Sequence, residues 1–204
     1  WKGIMVADEV GLVKTISAIQ ILVSLQARGE RGSVIVICPG GLRRKWCNEL
    51  WHRADIEAVE VETGERFRYY VERIEAGEVM VLVVSQGILR LSPMLDWLVD
   101  HSPNTMLTIV DEAHHIRNPK SHLHSAVTML SLSSERVVLL TATPVNLSTD
   151  DLFVQLSQLA PGRWPDAHAF TRSLRPGTIL NNILDLLAAE SPDLDAVDDL
   201  VMNL

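Results

Sequence analysis

The stretch that decides the fold is Ile109-Val110-Asp111-Glu112-Ala113-His114, in which two acidic residues and a histidine follow directly on an apolar run. A short apolar run that ends at polar residues is typical of a strand covered on both faces of a sheet. In an α/β sheet, ligands bind at the carboxyl ends of the strands. The stretch therefore predicts an α/β protein with an acidic site at the tip of a strand.

On either side of this stretch, apolar runs alternate with helical patterns. Strands are predicted at 3–7, 33–38, 58–61, 79–85, 106–110 and 137–140, and helices at about 16–29, 42–52, 67–76, 86–99, 121–132 and 149–159. The helix over 86–99 is expected to bend or break near Pro93. Because the strands are apolar throughout, the pattern indicates a parallel, doubly wound sheet with helices on both faces.

The alternation stops after Pro161-Gly162, which predicts a domain of residues 1–162 and a helical, acidic extension of residues 163–204. Residues 176–204 carry six acidic residues and no Lys or Arg. The net charge of −8 argues against a wholly basic nucleic-acid binder, although it does not exclude a local basic groove.

Two features bear on the compartment. Cys38 and Cys47 are the two cysteines of the chain, which favours free thiols in a reducing compartment over a disulfide framework. No apolar run approaches the roughly 20 residues of a membrane helix, and no signal peptide precedes the first strand. We therefore expect a soluble protein, cytoplasmic or associated with the nucleoid of a bacterial cell, without a membrane partner.

The loop after the first predicted strand has features of a phosphate loop. Such a loop holds phosphate with backbone N–H groups at a helix N-terminus, while a Lys reaches the β and γ phosphates and a Ser or Thr meets magnesium. Lys14 and Thr15 stand in those places, and Gly11 is available for a left-handed turn. The strict pattern GxxxxGK[ST] is broken at Asp8 and Val13. An ordinary βα unit with a Gly turn and a solvated Lys is the alternative.

Val13 replaces the glycine that normally precedes the lysine in such loops. A β-branched residue held at positive φ costs about 1–3 kcal/mol. We therefore expect a strained residue here and weakened nucleotide binding.

The acidic stretch itself is consistent with a magnesium nucleotide site. Asp111 can hold the metal and Glu112 can orient or deprotonate the attacking water, while a solvated acidic turn is the alternative. His114, His115, His122 and His124 lack a thiol or carboxylate at metal-ligand spacing, so no zinc site is predicted. His114 is expected to link the site to neighbouring loops by hydrogen bonds, and the other histidines to be surface or capping groups.

Taken together and in order, five motifs resemble those of the Swi/Snf-type ATPases of helicase superfamily two, which are double-stranded nucleic-acid translocases with two RecA-like lobes. The resemblance covers residues 3–162. The motifs are Ala7–Thr15 (motif I, usually ADEMGLGKT), Val36–Pro39 with Trp46 (motif Ia), Val84–Gln86 with Leu89-Arg90, Asp111–His114 followed by Asn118-Pro119 (motif II with its extension), and Leu139–Pro144 (motif III).

This resemblance implies a RecA-like three-layer α/β/α fold, ATP and Mg²⁺ as cofactors, and double-stranded DNA as partner, with RNA left open. It implies that Gly11, Lys14 and Thr15 bind the phosphates, with Thr15 also on the metal, and that Asp111 binds the metal while Glu112 activates water. Thr141 and Thr143 would couple the nucleotide state to the grip on nucleic acid. The backbone phosphates of the nucleic acid would be contacted by Arg43, Arg44 and Lys45. A solvated helix start is the alternative for that last group.

The resemblance also implies a second RecA-like lobe, which supplies an arginine to the γ phosphate and for which 204 residues leave no room. Such an arginine is worth about 10³ to 10⁵ in rate. The sequence therefore predicts the ATP-binding lobe of a nucleic-acid-dependent ATPase, present as a fragment or degraded copy with little turnover. The alternatives are a non-catalytic RecA-like interaction module and a small P-loop kinase.

Overall fold

The computed structural model describes residues 2–7, 13–142, 148–174 and 177. The strands are β1 (Gly3–Ala7), β2 (Val34–Cys38), β3 (Ala58–Val61), β4 (Val81–Ser85), β5 (Thr105–Val110) and β6 (Ser134–Thr141). The helices are α1 (Val13–Ala27), α2 (Arg43–Ala54), α3 (Gly64–Glu75), α4 (Gln86–Leu89), α5 (Ser92–Asp100), α6 (His122–Ser133) and α7 (Thr149–Leu159). Short 3₁₀ turns occupy Gly40–Leu42 and Ala113–Ile116.

The strands form one sheet in the order β1-β6-β5-β2-β4-β3, and all of the pairs are parallel. Strand β5 lies between β6 and β2, and all six of its residues are buried. At the end of β1, Ala7 lies opposite Thr141. This register brings the carboxyl ends of β1, β6, β5 and β2 to one edge of the sheet, where the loops after β1 and β5 emerge.

Two hydrophobic clusters cover the two faces of the sheet. Helices α1 and α2 pack on one face, with Leu22, Trp46 and Leu50 buried against β2 and β5. Helices α3 to α7 cover the other face, with Phe67 and Leu98 among their buried residues. The predicted parallel α/β sheet with helices on both faces is therefore confirmed, and burial on both sides explains why its strands are apolar throughout.

The predicted helix over 86–99 is broken near Pro93, as expected from the sequence. Helix α4 ends at Leu89 and α5 begins at Ser92, so Pro93 lies in the first turn of the second helix. Proline is tolerated there because the first N–H groups of a helix have no intrahelical partner. The break at residues 90–91 therefore lies near Pro93, as predicted, and Pro93 marks the start of the second helix.

Residues 1–161 and 162–204 form two compact units. In the second unit, residues 167–174 are helical, and the rings of Trp164 and Phe170 pack edge to face with centroids 5.0 Å apart. The acidic segment 176–204 lies outside the described residues except for Gly177, so the acidic extension remains a prediction. Within the described part, no helix is long and apolar enough to cross a membrane, and both cysteines are free.

Candidate functional site

The side chain of Asp111 is held in a fixed position at the tip of β5. It is 6% exposed, and the indole Nε1 of Trp46 donates to its Oδ2 at 2.9 Å. The backbone N–H of Glu112 donates to Oδ1 at 2.9 Å, and the backbone N–H of Asp111 donates to the carbonyl of Ile37 at 2.8 Å. Each carboxylate oxygen thus accepts one hydrogen bond and keeps further lone pairs for another partner.

The backbone carbonyl of Asp111 is also fixed by a hydrogen bond from the buried side-chain amide of Gln86. The Nε2 of Gln86, which is 3% exposed, donates to the carbonyl of Asp111 at 2.8 Å. The Oε1 of the same amide lies 2.6 Å from Nδ1 of His115. Since the Gln86 amide group donates to Asp111, its oxygen accepts from His115, which assigns a proton to Nδ1.

Glu112 has a left-handed backbone, with φ 50 and ψ 52. A non-glycine residue in this region is uncommon and costs of the order of 1 kcal/mol or more, and such residues cluster at functional sites. The turn carries the chain abruptly from β5 into the 3₁₀ turn that starts at Ala113. Oε2 of Glu112 lies 3.2 Å from Nδ1 of His114, without the alignment of a hydrogen bond.

The histidine that links this site to its surroundings is His115 rather than His114. His115 bonds to Gln86, whereas His114 approaches Glu112 and stacks edge to face on His115. His122 and His124 bond to backbone carbonyls of Arg90 and Ile116. The expectation for His114 was therefore wrong: the two rings are sequence neighbours, and which one reaches Gln86 depends on the path of the 3₁₀ turn.

Lys14 and Thr15 lie in the first turn of α1, at the same edge of the sheet as Asp111. Lys14 is 4% exposed and its charge acts on Asp111, while Thr15 is half-buried. A buried lysine at a helix start next to a buried aspartate is an arrangement that favours a polyanion bound with a metal ion. Gly11 and Thr143 lie outside the described residues, and Thr141, the last residue of β6, is fully buried.

Val13 does not have the strained backbone expected from the sequence. It is the first residue of α1, and among the described non-glycine residues positive φ occurs at Asp55 and Glu112. The expectation was wrong because the residue that precedes the lysine is already helical in this chain. The Val13 side chain is instead 55% exposed at the start of α1, so any effect on a phosphate comes from its bulk.

The basic residues at the start of α2 differ in their freedom to meet a ligand. Arg43 donates to the carbonyl of Val61 at 2.5 Å and lies 3.6 Å from Glu60, so its guanidinium ties α2 to β3. Arg44 and Lys45 are exposed. Among the three residues predicted to contact phosphates, Arg43 would have to break these contacts with Val61 and Glu60 before it could bind a phosphate.

Trp46 and Gln86 are the site residues that the sequence reasoning did not single out. Both lie in stretches that carry the family resemblance, Trp46 beside Val36–Pro39 and Gln86 in Val84–Gln86. Their place in these motifs could have identified them as site residues. Within the described residues, no group of three or more His, Cys, Asp or Glu side chains forms a ready metal cluster.

Burial raises the pKa of Asp111 above its ordinary value, although the hydrogen bonds from Trp46 and the Glu112 backbone and the charge of Lys14 act to lower it. With the folded pKa above the unfolded value of 3.8, ionisation of Asp111 opposes folding. Its contribution to stability is present in acid and lost as the pH rises through the folded pKa. Compared with Asp111→Asn, the wild type should therefore lose stability as the pH rises above about 4 and through the folded pKa.

Urea unfolding of the two proteins at several pH values measures this difference. The substitution also changes the hydrogen bonds of Asp111, but those bonds shift the difference by a constant amount. A difference that stays constant as the pH rises above about 4, or changes in the opposite direction, would contradict the prediction.

Comparison with known proteins identifies the family. The model of the SNF2-related domain matches residues 1–191. The RNA polymerase-associated protein RapA of Pseudomonas fluorescens is 33% identical over 178 residues, covering 82% of this chain and 18% of that protein. RapA of Actinobacillus succinogenes is 30% identical over 218 residues, covering 97% of this chain and 22% of that protein. The chain thus spans about a fifth of the length of these curated relatives.

A solved structure supports the same family assignment. The Sulfolobus solfataricus SWI2/SNF2 ATPase core in complex with dsDNA matches with a TM-score of 0.67 and 25% identity, covering 83% of this chain and 34% of that chain. These matches confirm both the family resemblance and the RecA-like fold expected from the sequence. The chain belongs to the SNF2 family and forms a RecA-like ATPase lobe of the Swi/Snf type.

Proposed function

We propose that this chain is the ATP-binding lobe of a DNA-dependent SNF2 ATPase and binds magnesium ATP at the edge formed by β1, β5 and α1. The observation that carries the proposal is the buried Lys14 at the start of α1, whose charge acts on the buried Asp111 at the tip of β5. Two elements from distant parts of the chain deliver these opposite charges to the edge where α/β sheets bind ligands.

The donor set fits a magnesium ion. Asp111 and Thr15 offer carboxylate and hydroxyl oxygens, which are the ligands that magnesium prefers. Bound magnesium would neutralise charge on the β and γ phosphates. Lys14 would contact the same phosphates, together with Gly11 of the loop, and Trp46 would keep the Asp111 carboxylate aimed at the metal. Glu112, whose left-handed backbone turns the chain away from the direction of β5, would orient the attacking water.

Double-stranded DNA is the proposed partner, because the matching Sulfolobus structure is a complex with dsDNA. RNA remains the alternative nucleic acid, and Thr141 and Thr143 are proposed to couple the nucleotide state to its grip. Since the chain spans about a fifth of the RapA proteins, full turnover is proposed to require a second RecA-like lobe. Val13 is proposed to impair this lobe further.

Val13→Gly tests the nucleotide site. Removing an exposed isopropyl group beside the phosphates should tighten magnesium ATP binding about tenfold, or about 1.4 kcal/mol. The same change should lower the free energy of unfolding by up to about 1 kcal/mol, because glycine is a poor helix former. Isothermal titration calorimetry of both proteins, with and without magnesium, measures the first effect, and urea unfolding measures the second.

The matched control is Val23→Gly, which removes an exposed valine from the middle of α1 and should leave nucleotide affinity unchanged. If neither the wild type nor Val13→Gly gives magnesium-dependent heat, the chain has no working nucleotide site. The non-catalytic interaction module would then be the better description.

A further inference from the structure

A basic pocket lies beside the acidic turn and has no assigned role. It is a cavity of about 480 Å³ lined by Arg90, His115, Asn118, Lys120, Ser121, His122 and Leu123. No carboxylate lines it, although the chain as a whole carries a net charge of −8. A concave site of one charge sign raises the local concentration of ligands of the opposite sign.

Within the described residues, the arginines and the lysine around this pocket make no ion pair, in contrast to other arginines of the protein. Arg43, Arg53, Arg73 and Arg136 each pair with a carboxylate. In the part of the chain that the structure describes, no ion pair or hydrogen bond uses the charged groups of Arg90, Arg117 or Lys120. Clustered like charges repel one another, and an anion in the pocket would relieve that repulsion.

The pocket is connected to the nucleotide site by two hydrogen bonds in series. His115 lines the pocket and donates through Nδ1 to the buried Gln86, which donates in turn to the carbonyl of Asp111. The distances are 2.6 Å and 2.8 Å. The other ring nitrogen of His115, Nε2, makes no hydrogen bond with the described residues. One side chain thus touches both the pocket and the support of Asp111.

We propose that the basic pocket binds a backbone phosphate of duplex DNA, and that His115 and Gln86 are positioning residues that transmit its occupancy to Asp111. The identity of the ligand rests on the proposed function, whereas the pocket and the hydrogen-bonded link rest on geometry alone.

A change in the charge of His115 would transmit the occupancy of the pocket to Asp111. Burial and the neighbouring groups His114, Arg90 and Arg117 lower the pKa of His115, against the opposing effect of Asp111. Lys120 and His122 also line the pocket and add to the positive field. A phosphate offsets this field and favours a second proton on the ring. A charged imidazolium is the stronger donor, so the bond to Gln86 tightens.

The pocket is tested by fluorescence anisotropy with a labelled DNA duplex. Removing two cations that contact this phosphate, in Arg90→Ala/Lys120→Ala, should weaken binding at least tenfold and reduce the slope of log K against log salt by about one. The control Arg28→Ala/Arg31→Ala removes two exposed charges beyond the carboxyl end of α1 and should bind as the wild type does. Equal loss in both double variants would mean that total charge, rather than the pocket, binds DNA.

The hydrogen-bonded link from His115 through Gln86 to Asp111 is tested in the absence of nucleotide. The reporter is the indole N–H of Trp46, which donates to Asp111. In ¹⁵N-labelled protein this resonance is identified by its absence in Trp46→Phe. Saturating duplex should shift it in the wild type and leave it unmoved in Gln86→Leu, which removes both bonds of the link. A shift of the same size in a folded Gln86→Leu protein would overturn the link.

His115→Asn provides the second variant, since the Asn amide can replace Nδ1 as donor to Gln86 but has no atom in the place of Nε2. Its Trp46 resonance should match that of the free wild type and should not respond to DNA. If inorganic phosphate alone produces the wild-type shift, the pocket is a free-phosphate site and the assigned ligand is wrong. Because no ATP is present, these outcomes stand apart from those of the nucleotide titration.

Discussion

Trp46→Ala is expected to lower the free energy of unfolding by about 3–5 kcal/mol, which is the usual cost of truncating a buried aromatic residue. Trp46 is 1% exposed and is among the largest fully buried side chains of the structure. For a chain of this size, such a loss corresponds to a fall in Tm on the order of 10 °C. Urea unfolding and thermal scans measure the two quantities.

Trp46→Phe separates packing from the hydrogen bond. It keeps most of the ring but removes the Nε1 donor to Asp111, so it should cost less stability than Trp46→Ala while still weakening magnesium ATP binding. Trp51→Ala is the matched control, because Trp51 lies on the same helix and is 53% exposed. A loss for Trp51→Ala as large as that for Trp46→Ala would show that α2, rather than the buried indole, controls the effect.

Lys14→Ala is expected to reduce magnesium ATP affinity by at least about 30-fold. The proposed contact between Lys14 and the phosphates is a charge pair shielded from water, and losing one member of such a pair costs roughly 2–5 kcal/mol. The side chain is 4% exposed, so the lost contact is shielded from water. It should also raise the pKa of Asp111 further, because the positive charge of Lys14 acts to lower it. Calorimetry at pH 7 measures the affinity.

Lys45→Ala is the control for this experiment, since Lys45 is exposed and lies at the start of α2. It should retain the nucleotide affinity of the wild type, even if DNA binding falls. Nucleotide affinity that is unchanged in Lys14→Ala would remove Lys14 from the proposed site.

The fold could be predicted almost entirely from the sequence because its signals are local and strong. Strands such as Val34–Cys38 and Val81–Ser85 are unbroken apolar runs, and glycine or proline turns mark the ends of several elements. The break between α4 and α5 was predicted near Pro93, although the sequence alone does not tell a proline inside a helix from one in the first turn of a new helix.

The candidate site was less predictable because its supporting contacts are made across the sheet. The bond from Trp46 to Asp111 joins residues 65 positions apart, and the bond from Gln86 joins residues 25 apart. No periodic pattern reports such pairs. The backbone of Val13 could not be predicted either, since it depends on where α1 begins, and helix boundaries are the least certain part of any sequence-based assignment.

The order of the sheet also determines when this lobe can assemble during its synthesis. Among the strands that the structure describes, the first pairs with the last: β1 has β6 as its one neighbour, from Gly3 opposite Val137 to Ala7 opposite Thr141. A ribosome must therefore deliver nearly the whole domain before its first strand finds a neighbour. Strands β2 to β5 can associate earlier, whereas the segment that leads into Lys14 waits, so nascent chains are expected to acquire nucleotide binding as their final step.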